Sequence, residues 1–342
     1  MRKILFVLWM SGTTGLLASC GALTGAVKTG SDDGPTALEA EALNRIAAQV
    51  QGTVIWSSSR EGNHNIYAMD TGGQNLRRLT QGDTVDWFPR FSPDGSRILF
   101  TRSKKGWVYE RDANHNWKWD VFVMGKDGGQ VTLVAENASW GNWLSDDEVI
   151  FSRSTKVFRK ILSTGHETLV VDSETTAGLD SAQLQQPEMS PDGKYLAMTL
   201  RGARWETGVL DLSNLKWTAT GKGCQVSFHP TQERILWVNP SGNGASEVLS
   251  MEMKDGKPAR DFSYEEMRFA DIPGRQSHEY FPRLDASGAW MVWGATQRGH
   301  DHDVANYDIF IWRVGAPFAE ITQMTFHTAN DRWPDLFLGG AQ

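Results

Sequence analysis

The sequence predicts an all-β fold: a six-bladed β-propeller of four-stranded antiparallel blades, with a short N-terminal helix. Three observations carry this expectation. A strand–turn–strand unit, DWFPRFSPDGSRILFTR at residues 86–102, recurs along the chain. Its copies lie 39 to 56 residues apart. Each period holds four short apolar runs separated by turn residues, and four strands per repeat of about 40–50 residues is the pattern of a propeller blade.

The unit explains its own geometry. Pro93 sets φ near about −65° for the turn, and Gly95 supplies the positive φ that other residues resist. Further copies are QQPEMSPDGKYLAMTLR from Gln185, CQVSFHPTQERILWVN from Cys224 and YFPRLDASGAWMVWGA from Tyr280. WGNWLSDDEVIFSR from Trp140 lacks one turn residue, and the half-copy RWPDLFL from Arg332 ends the chain. Aligned on the last residue of the first strand, the copies fall at Phe91, Trp143, Met189, Phe228, Leu284 and Leu336. The runs TVIWSS (53–58), NIYAMD (65–70) and NLRRLT (75–80) precede the first unit; WDVFVM (119–124) and QVTLV (130–134) follow it. Alternation in NIYAMD and RILFTR fits strands with unlike faces. The repeats begin at a second strand and end with a first strand, so the last segment is expected to complete the blade begun by the first.

Ahead of the repeats, Arg2 and Lys3 precede an apolar run, Ile4 to Met10, too short to span a bilayer. Leu17-Ala18-Ser19-Cys20 resembles the lipobox of bacterial lipoproteins, so residues 1–19 read as a signal peptide and Cys20 as the acylated residue that anchors the chain to a membrane. Gly21 in place of aspartate after that cysteine points to the periplasmic side of the outer membrane. Residues 20–36 read as a flexible tether, residues 37–51 as a helix with Leu38, Ala42, Ile46 and Val50 at spacing four, and residues 52–338 as the propeller. The net charge is −7 and no basic run exists, which argues against a nucleic-acid partner. With Cys20 lipidated, Cys224 has no partner for an intramolecular disulfide, and the chain is expected to be a monomer.

SSSREGNHNIYAMDTGGQNLRRLT followed by WFPRFSPDGSRILFTR resembles the TolB-type, WD-like propeller repeat, over residues 53–102, 119–153 and 186–201 and more weakly beyond. The resemblance implies six blades and a place in the cell envelope. It departs from TolB in having no room for an α/β domain before the propeller, so TolB's N-terminal partner contacts are not carried over. The same repeat occurs in carbohydrate lyases, peptidase propellers and sensors, and so speaks to fold more than to function.

Alternating strand direction puts the long connections 103–118, 172–184, 263–279 and 296–306 on one face, where binding usually lives. Six of the eight histidines fall on that face. The candidate binding residues are Arg60, His64, Trp107, His115, Trp117, His278, Glu279, His300, Asp301, His302, Asp303, His327 and Asp331. The tryptophans are of a kind that stacks on sugar rings or anchors peptides. Two segments have metal-ligand composition for a divalent ion such as Ca, Mn or Zn. His300, Asp301, His302 and Asp303 alternate nitrogen and oxygen donors. Asp112, Asn114, Asn116 and Asp120 match the start of a calcium loop, which then fails at Trp117 and Val123. Arg60, Arg102, Arg153 and Arg201 end second strands and are expected to pair locally, for instance with Glu61 or Glu110. No nucleophile elbow, P-loop or helical zinc-protease motif is present. The sequence thus favours a lipid-anchored, non-catalytic envelope scaffold for a protein or peptide. The alternative is a carbohydrate-active protein, a metal-dependent lyase or glycan binder, using the His/Asp-rich face.

Overall fold

The repeat unit folds as its residues require. In the computed structural model, which describes residues 34–240, 245–273, 278–297, 299 and 301–339, the Ser92 hydroxyl donates to Asp94 at 2.5 Å, and the Gly95 N–H donates to the Ser92 carbonyl at 2.8 Å with Gly95 at φ +69°. The copy at Ser190 and Asp192 repeats the side-chain bond at 2.7 Å, and the copy at Asp285 and Ser287 makes it with the two residue types exchanged. The hairpin is therefore locked by side chain as well as by backbone.

These hairpins build an all-β propeller of antiparallel blades. Four sheets have four strands each, ordered from the axis outward. The first runs Asp331–Leu338, Gly52–Ser58, Asn65–Asp70, Arg77–Arg78; the second Asp86–Phe91, Arg97–Ser103, Trp119–Gly125, Thr132–Glu136. The third runs Ser139–Trp143, Glu148–Arg153, Lys156–Ile161, Glu167–Asp172; the fourth Gln183–Met189, Tyr195–Arg201, Glu206–Asp211, Lys216–Gly221. The C-terminal strand pairs antiparallel with Gly52–Ser58, from Gly52↔Leu338 to Ser58↔Asp331, so the two ends of the described chain share a sheet.

The remainder departs from the expectation of six separate four-stranded sheets. It is one nine-stranded sheet. Cys224–Phe228, Arg234–Pro240 and Ser246–Lys254 form one half, and His278–Leu284, Trp290–Thr296, Asp308–Arg313 and Thr322–Gln323 the other. A single parallel bridge, Ser246↔His278, joins the halves. The physical reason is the long strand Ser246–Lys254, whose N-terminal end reaches the start of the next innermost strand, while Arg268–Ala270 and Lys257–Pro258 pair along its outer side.

Helix α1 spans Ala37–Gln49 and is closed by a capping box between Thr36 and Glu39. Its buried residues are Leu43 and Ile46, which join Val54, Met69, Trp290, Ile311 and Leu336 in one core cluster. Leu38 is 78% exposed, so the docking face is rotated from the expected row of Leu38, Ala42, Ile46 and Val50. The cause is the site it covers: the turn glycines Gly72 and Gly73 lie against Ala47 and Leu43, and a turn without side chains admits the helix there. Residues 1–33, and with them the signal peptide, Cys20 and most of the tether, lie outside the described residues.

Candidate functional site

Each innermost strand carries a bulge at one repeat position, three residues before the aligned strand end. There Phe88 (φ 56°), Trp140 (59°), Gln186 (54°), Gln225 (60°), Phe281 (65°) and Trp333 (55°) all adopt left-handed backbone. Such a conformation costs a non-glycine residue about 1–3 kcal/mol and persists only where the surroundings enforce it. The pairing register slips at the same places, for example between Trp87 and Arg90 and between Gln185 and Glu188. A bulge re-aims side chains, and here it turns them together from separate sheets. Ring centroids of Phe88 and Trp333 are 4.9 Å apart, of Trp140 and Trp333 5.3 Å, and of Phe281 and Trp333 4.5 Å. Four aromatic rings thus plug the axis.

The two glutamines do something else. Gln186 Oε1 accepts from the Gln225 backbone N–H and the Thr199 hydroxyl, each at 3.0 Å, and Gln225 Oε1 accepts from the Phe281 backbone N–H at 2.5 Å. Each amide oxygen satisfies the bulge of the next strand, which fixes the orientation of both side chains.

Two residues further along, toward the short SPDG-type turns, the equivalent positions hold Arg90, Asn142, Glu188, Ser227, Arg283 and Asp335. Arg283 pairs with Glu188 and lies 3.3 Å from Asp335, Asn142 donates to Glu188 at 3.1 Å, and Asp335 accepts from the Phe91 N–H at 2.7 Å. Burial, reinforced by the like charge of Arg283, pushes Arg90 down to about 9. Burial would also lower Arg283, but Glu188 and Asp335 outweigh it and hold the guanidinium above its ordinary range.

At the other end, above the plug, lies a cleft of about 740 Å³. Trp140, Gln186, Cys224, Gln225 and Tyr280 border it from the strands, Arg201 and Trp205 from the fourth sheet, and Glu110, Arg111, Asn114, Asp301 to Ala305 from two long loops. Beside it sits a buried ion cluster. Arg332, 0% exposed, reaches Glu110 at 3.1 Å and Asp303 at 2.8 Å, and Trp333 Nε1 donates to Glu110 at 2.8 Å. His302 Nδ1 is 2.8 Å from the second Glu110 oxygen, and Asp303 accepts from the Glu110 N–H. Burial works to raise Glu110, but His302 and Arg332 overcome it and hold the carboxyl below its usual range; for Asp303 burial prevails and the shift is upward. The cluster pins both long loops to the closing strand.

The remaining candidate residues scatter into separate groups. Arg60 stacks over Trp56 and Tyr67 and lies 3.5 Å from Asp331. The Ala329 N–H donates to His327 Nδ1, and His327 Nε2 lies 2.8 Å from both Asp331 and Arg60. His64 is fully buried, 5.3 Å from the Trp107 ring, and burial followed by the charge of Arg332 holds it well below its ordinary range. His115 stacks on the exposed Trp117 at 4.8 Å, away from the axial cluster. His278 lies 3.3 Å from the Ser246 hydroxyl, and the buried Glu279 accepts from the Ile272 N–H. His300 lies outside the described residues. Arg102 forms a two-pronged pair with Asp86, and Arg153 pairs with Glu167; Glu61 instead serves Arg78, and Glu110 serves Arg332. Arg201 is different: it reaches the Gly223 carbonyl at 3.3 Å and stacks over Trp205 at 5.2 Å, with no carboxylate partner among the described residues.

Among the described residues, the side chains of both metal-ligand segments are engaged within the protein. Asp112 holds Lys118 at 2.6 Å, Asn114 accepts from Gln185, Asn116 donates to the Asn137 carbonyl, and Asp120 accepts from the Asn137 N–H. His302 and Asp303 are committed to Glu110 and Arg332, and Asp301 accepts from the Asp303 N–H. Among the described residues no group of three or more His, Cys, Asp or Glu side chains is arranged to hold an ion. The residues that shape the cleft but escaped sequence reasoning are Gln186, Gln225, Glu110 and Arg332. For the glutamines the signal was available, since the repeat alignment shows four aromatics and two amides at one position.

No family model matches the chain. An uncharacterised protein from Agrobacterium fabrum is 30% identical over 110 residues, covering 29% of this chain and 36% of its own. A tricorn protease homologue from Saccharolobus solfataricus is 21% identical over 311 residues, covering 79% of this chain and 28% of its own. The chain therefore spans about a third of the length of these curated relatives or less. Among solved structures, TolB from Acinetobacter baumannii superposes with a TM-score of 0.57 at 12% identity, over 83% of this chain and 66% of that one. A putative TolB from Agrobacterium tumefaciens gives 0.54 at 14% identity, over 83% and 91%. At such identities the likeness is one of fold: the chain is a β-propeller whose structural neighbours are TolB-like propellers.

Proposed function

We propose that this protein is a lipid-anchored propeller of the cell envelope that acts as a non-catalytic scaffold, seating a protein or peptide partner in the axial cleft. We infer six blades, with the nine-stranded sheet holding two of them, because six equivalent bulges surround the axis. The observation that carries the binding role is the contrast within the cleft. Its buried acids, Glu110 and Asp303, are tied to Arg332, whereas its aromatic, amide and guanidinium groups face open space. Groups so arranged recognise rather than react. The N-terminal sequence motivates the anchor and the location.

A photo-crosslinking residue at Trp205, compared with one at exposed Leu169 on the third sheet, tests the role in intact cells. A discrete adduct from position 205 that is absent from 169, with one protein identified in it, is expected; identical adducts from both positions sink the proposal. Labelled fatty acid should enter the wild type and not Cys20→Ala. The carbohydrate-active alternative, a metal-dependent lyase or glycan binder, is tested on a saccharide array: binding lost in Trp205→Ala would favour it.

A further inference from the structure

The two glutamines leave an unusual remainder. Gln186 and Gln225 are 8% and 6% exposed, and both line the cleft. Their oxygens are taken by backbone N–H groups, while neither Nε2 has a hydrogen-bond partner among the described residues. A primary amide held by its oxygen presents two N–H donors on its other side. Arg201, on the same wall, adds a guanidinium with no carboxylate partner among the described residues, held in place by the Gly223 carbonyl and the Trp205 ring. One wall of the cleft therefore offers donors and a positive charge and asks for an acceptor bearing negative charge.

From this wall we infer that the cleft is a carboxylate-binding site, and that its ligand is the free C-terminal carboxylate of a peptide or protein partner. This rests on the scaffold reading and names what the scaffold holds. Donors held in place by their own contacts and open to the cleft favour a planar acceptor, which guanidinium and amide groups grip from the edge. The adjoining surface fits the residue that bears the carboxylate: Trp140, Tyr280 and Trp205 supply aromatic area. A chain entering from the long-loop face would meet the donors only at its end, because the aromatic plug blocks passage along the axis.

Fluorescein-labelled random octapeptides, one pool with free C-terminal acids and one amidated, test this by anisotropy on the full chain. The free-acid pool should bind at least tenfold more tightly. Gln225→Glu keeps the oxygen that accepts from Phe281 N–H and replaces the donor by a second oxygen, so it should abolish the preference, with a melting curve recorded to show that the variant is folded. Gln186→Glu should do the same. If either variant unfolds, Arg201→Met, at the cleft wall, carries the test with an expected loss of at least fivefold. Equal binding of the two pools, or a preference that survives Gln225→Glu and Arg201→Met, overturns the inference. So does binding of a uronic-acid oligosaccharide with no binding of either peptide pool. The two proposals fail separately: a partner crosslinked at position 205 that Gln225→Glu retains would leave the scaffold standing and remove the carboxylate site.

Discussion

The two ends of the propeller axis hold similar residues in opposite states. At the short-turn end, Arg90, Asn142, Glu188, Arg283 and Asp335 form a ring whose charges cancel. At the long-loop end, Arg332, Glu110, Asp303 and His302 are as tightly paired, but Gln186, Gln225 and Arg201 keep donors facing the cleft. The difference teaches how a repeat architecture separates stability from recognition. Where the charged copies of a position answer one another, as Arg283 does Glu188 and Asp335, the position serves the ring. Where two of six break the pattern, they make a surface.

The largest test removes the element common to both ends. Deleting residues 332–342 takes away Arg332, the Trp333 ring and Asp335 together with the inner strand of the first sheet. Cooperative thermal unfolding should be lost, and a normal melt would show that the ring closes without this strand. Next come the ion pairs. Arg332→Met strands Glu110 and Asp303, and removing one partner of a buried pair costs about 3–5 kcal/mol; Arg283→Met removes the part-buried partner of Glu188 and Asp335 and should cost less. Clear losses in both variants by urea denaturation would make both clusters structural. A loss below about 1 kcal/mol for Arg332→Met alone would mean that its carboxylates are held for a ligand instead.

At the rim of the short-turn end, a Cβ on Gly95 would stand 2.3 Å from the Phe337 ring, and the residue has φ +69°. Gly95→Val combines a forbidden backbone with a clash against the closing strand, so it should destabilise by about 2–4 kcal/mol. An unchanged melt would mean that the turn does not support the closing strand.

That contact also shows where sequence was informative and where it was not. The turn at Ser92–Gly95 was legible because Pro and Gly act through their own dihedrals, and the pairing of the last strand with the first blade followed from the order of the repeats. The bulges were not legible: left-handed φ at Phe88 or Trp140 is imposed by the ring, against the residues' own preference. The fusion of two sheets turned on a single bridge between Ser246 and His278, too weak a feature to leave a pattern. Glu110 and Arg332 are brought together only by closure of the chain, so neither carries a local signal of the other. The histidines drew notice by composition, yet His64, His302 and His327 mostly position neighbours. The helix face was misread because Leu38 satisfies the periodicity but reaches no partner.

Asp94 gives a smaller effect with a defined sign. Hydrogen bonds from Ser92 and Ser96 bring its carboxyl down to about 2, against 3.8 for the free side chain. Its folded pKa lies below the unfolded one, so its stabilising contribution is complete above pH about 4 and is lost as pH falls through about 2. Asp94→Asn should lower the melting temperature slightly at pH 7 and flatten its decline between those values. A decline as steep as in the wild type would show that the turn carboxylate does not contribute. Asp192, brought to about 2 by Ser190 and Lys194, should behave alike, since both sit at one repeat position.

The smallest expected change in stability is the sharpest test of the contrast between the ends. Trp205 is 59% exposed, and its described ring contact is the stack beneath Arg201. A surface ring of this kind contributes within about 0.5 kcal/mol to folding, so Trp205→Ala should melt with the wild type. Its removal nevertheless frees the Arg201 guanidinium to swing, and a donor that must be ordered on binding recognises less well than one already held. Photo-crosslinking from a neighbouring position such as Val304 should therefore weaken in Trp205→Ala although the fold is intact. Were crosslinking unchanged, the tryptophan would be ordinary surface, and the wall it supports would be no more specialised than the saturated ring at the opposite end.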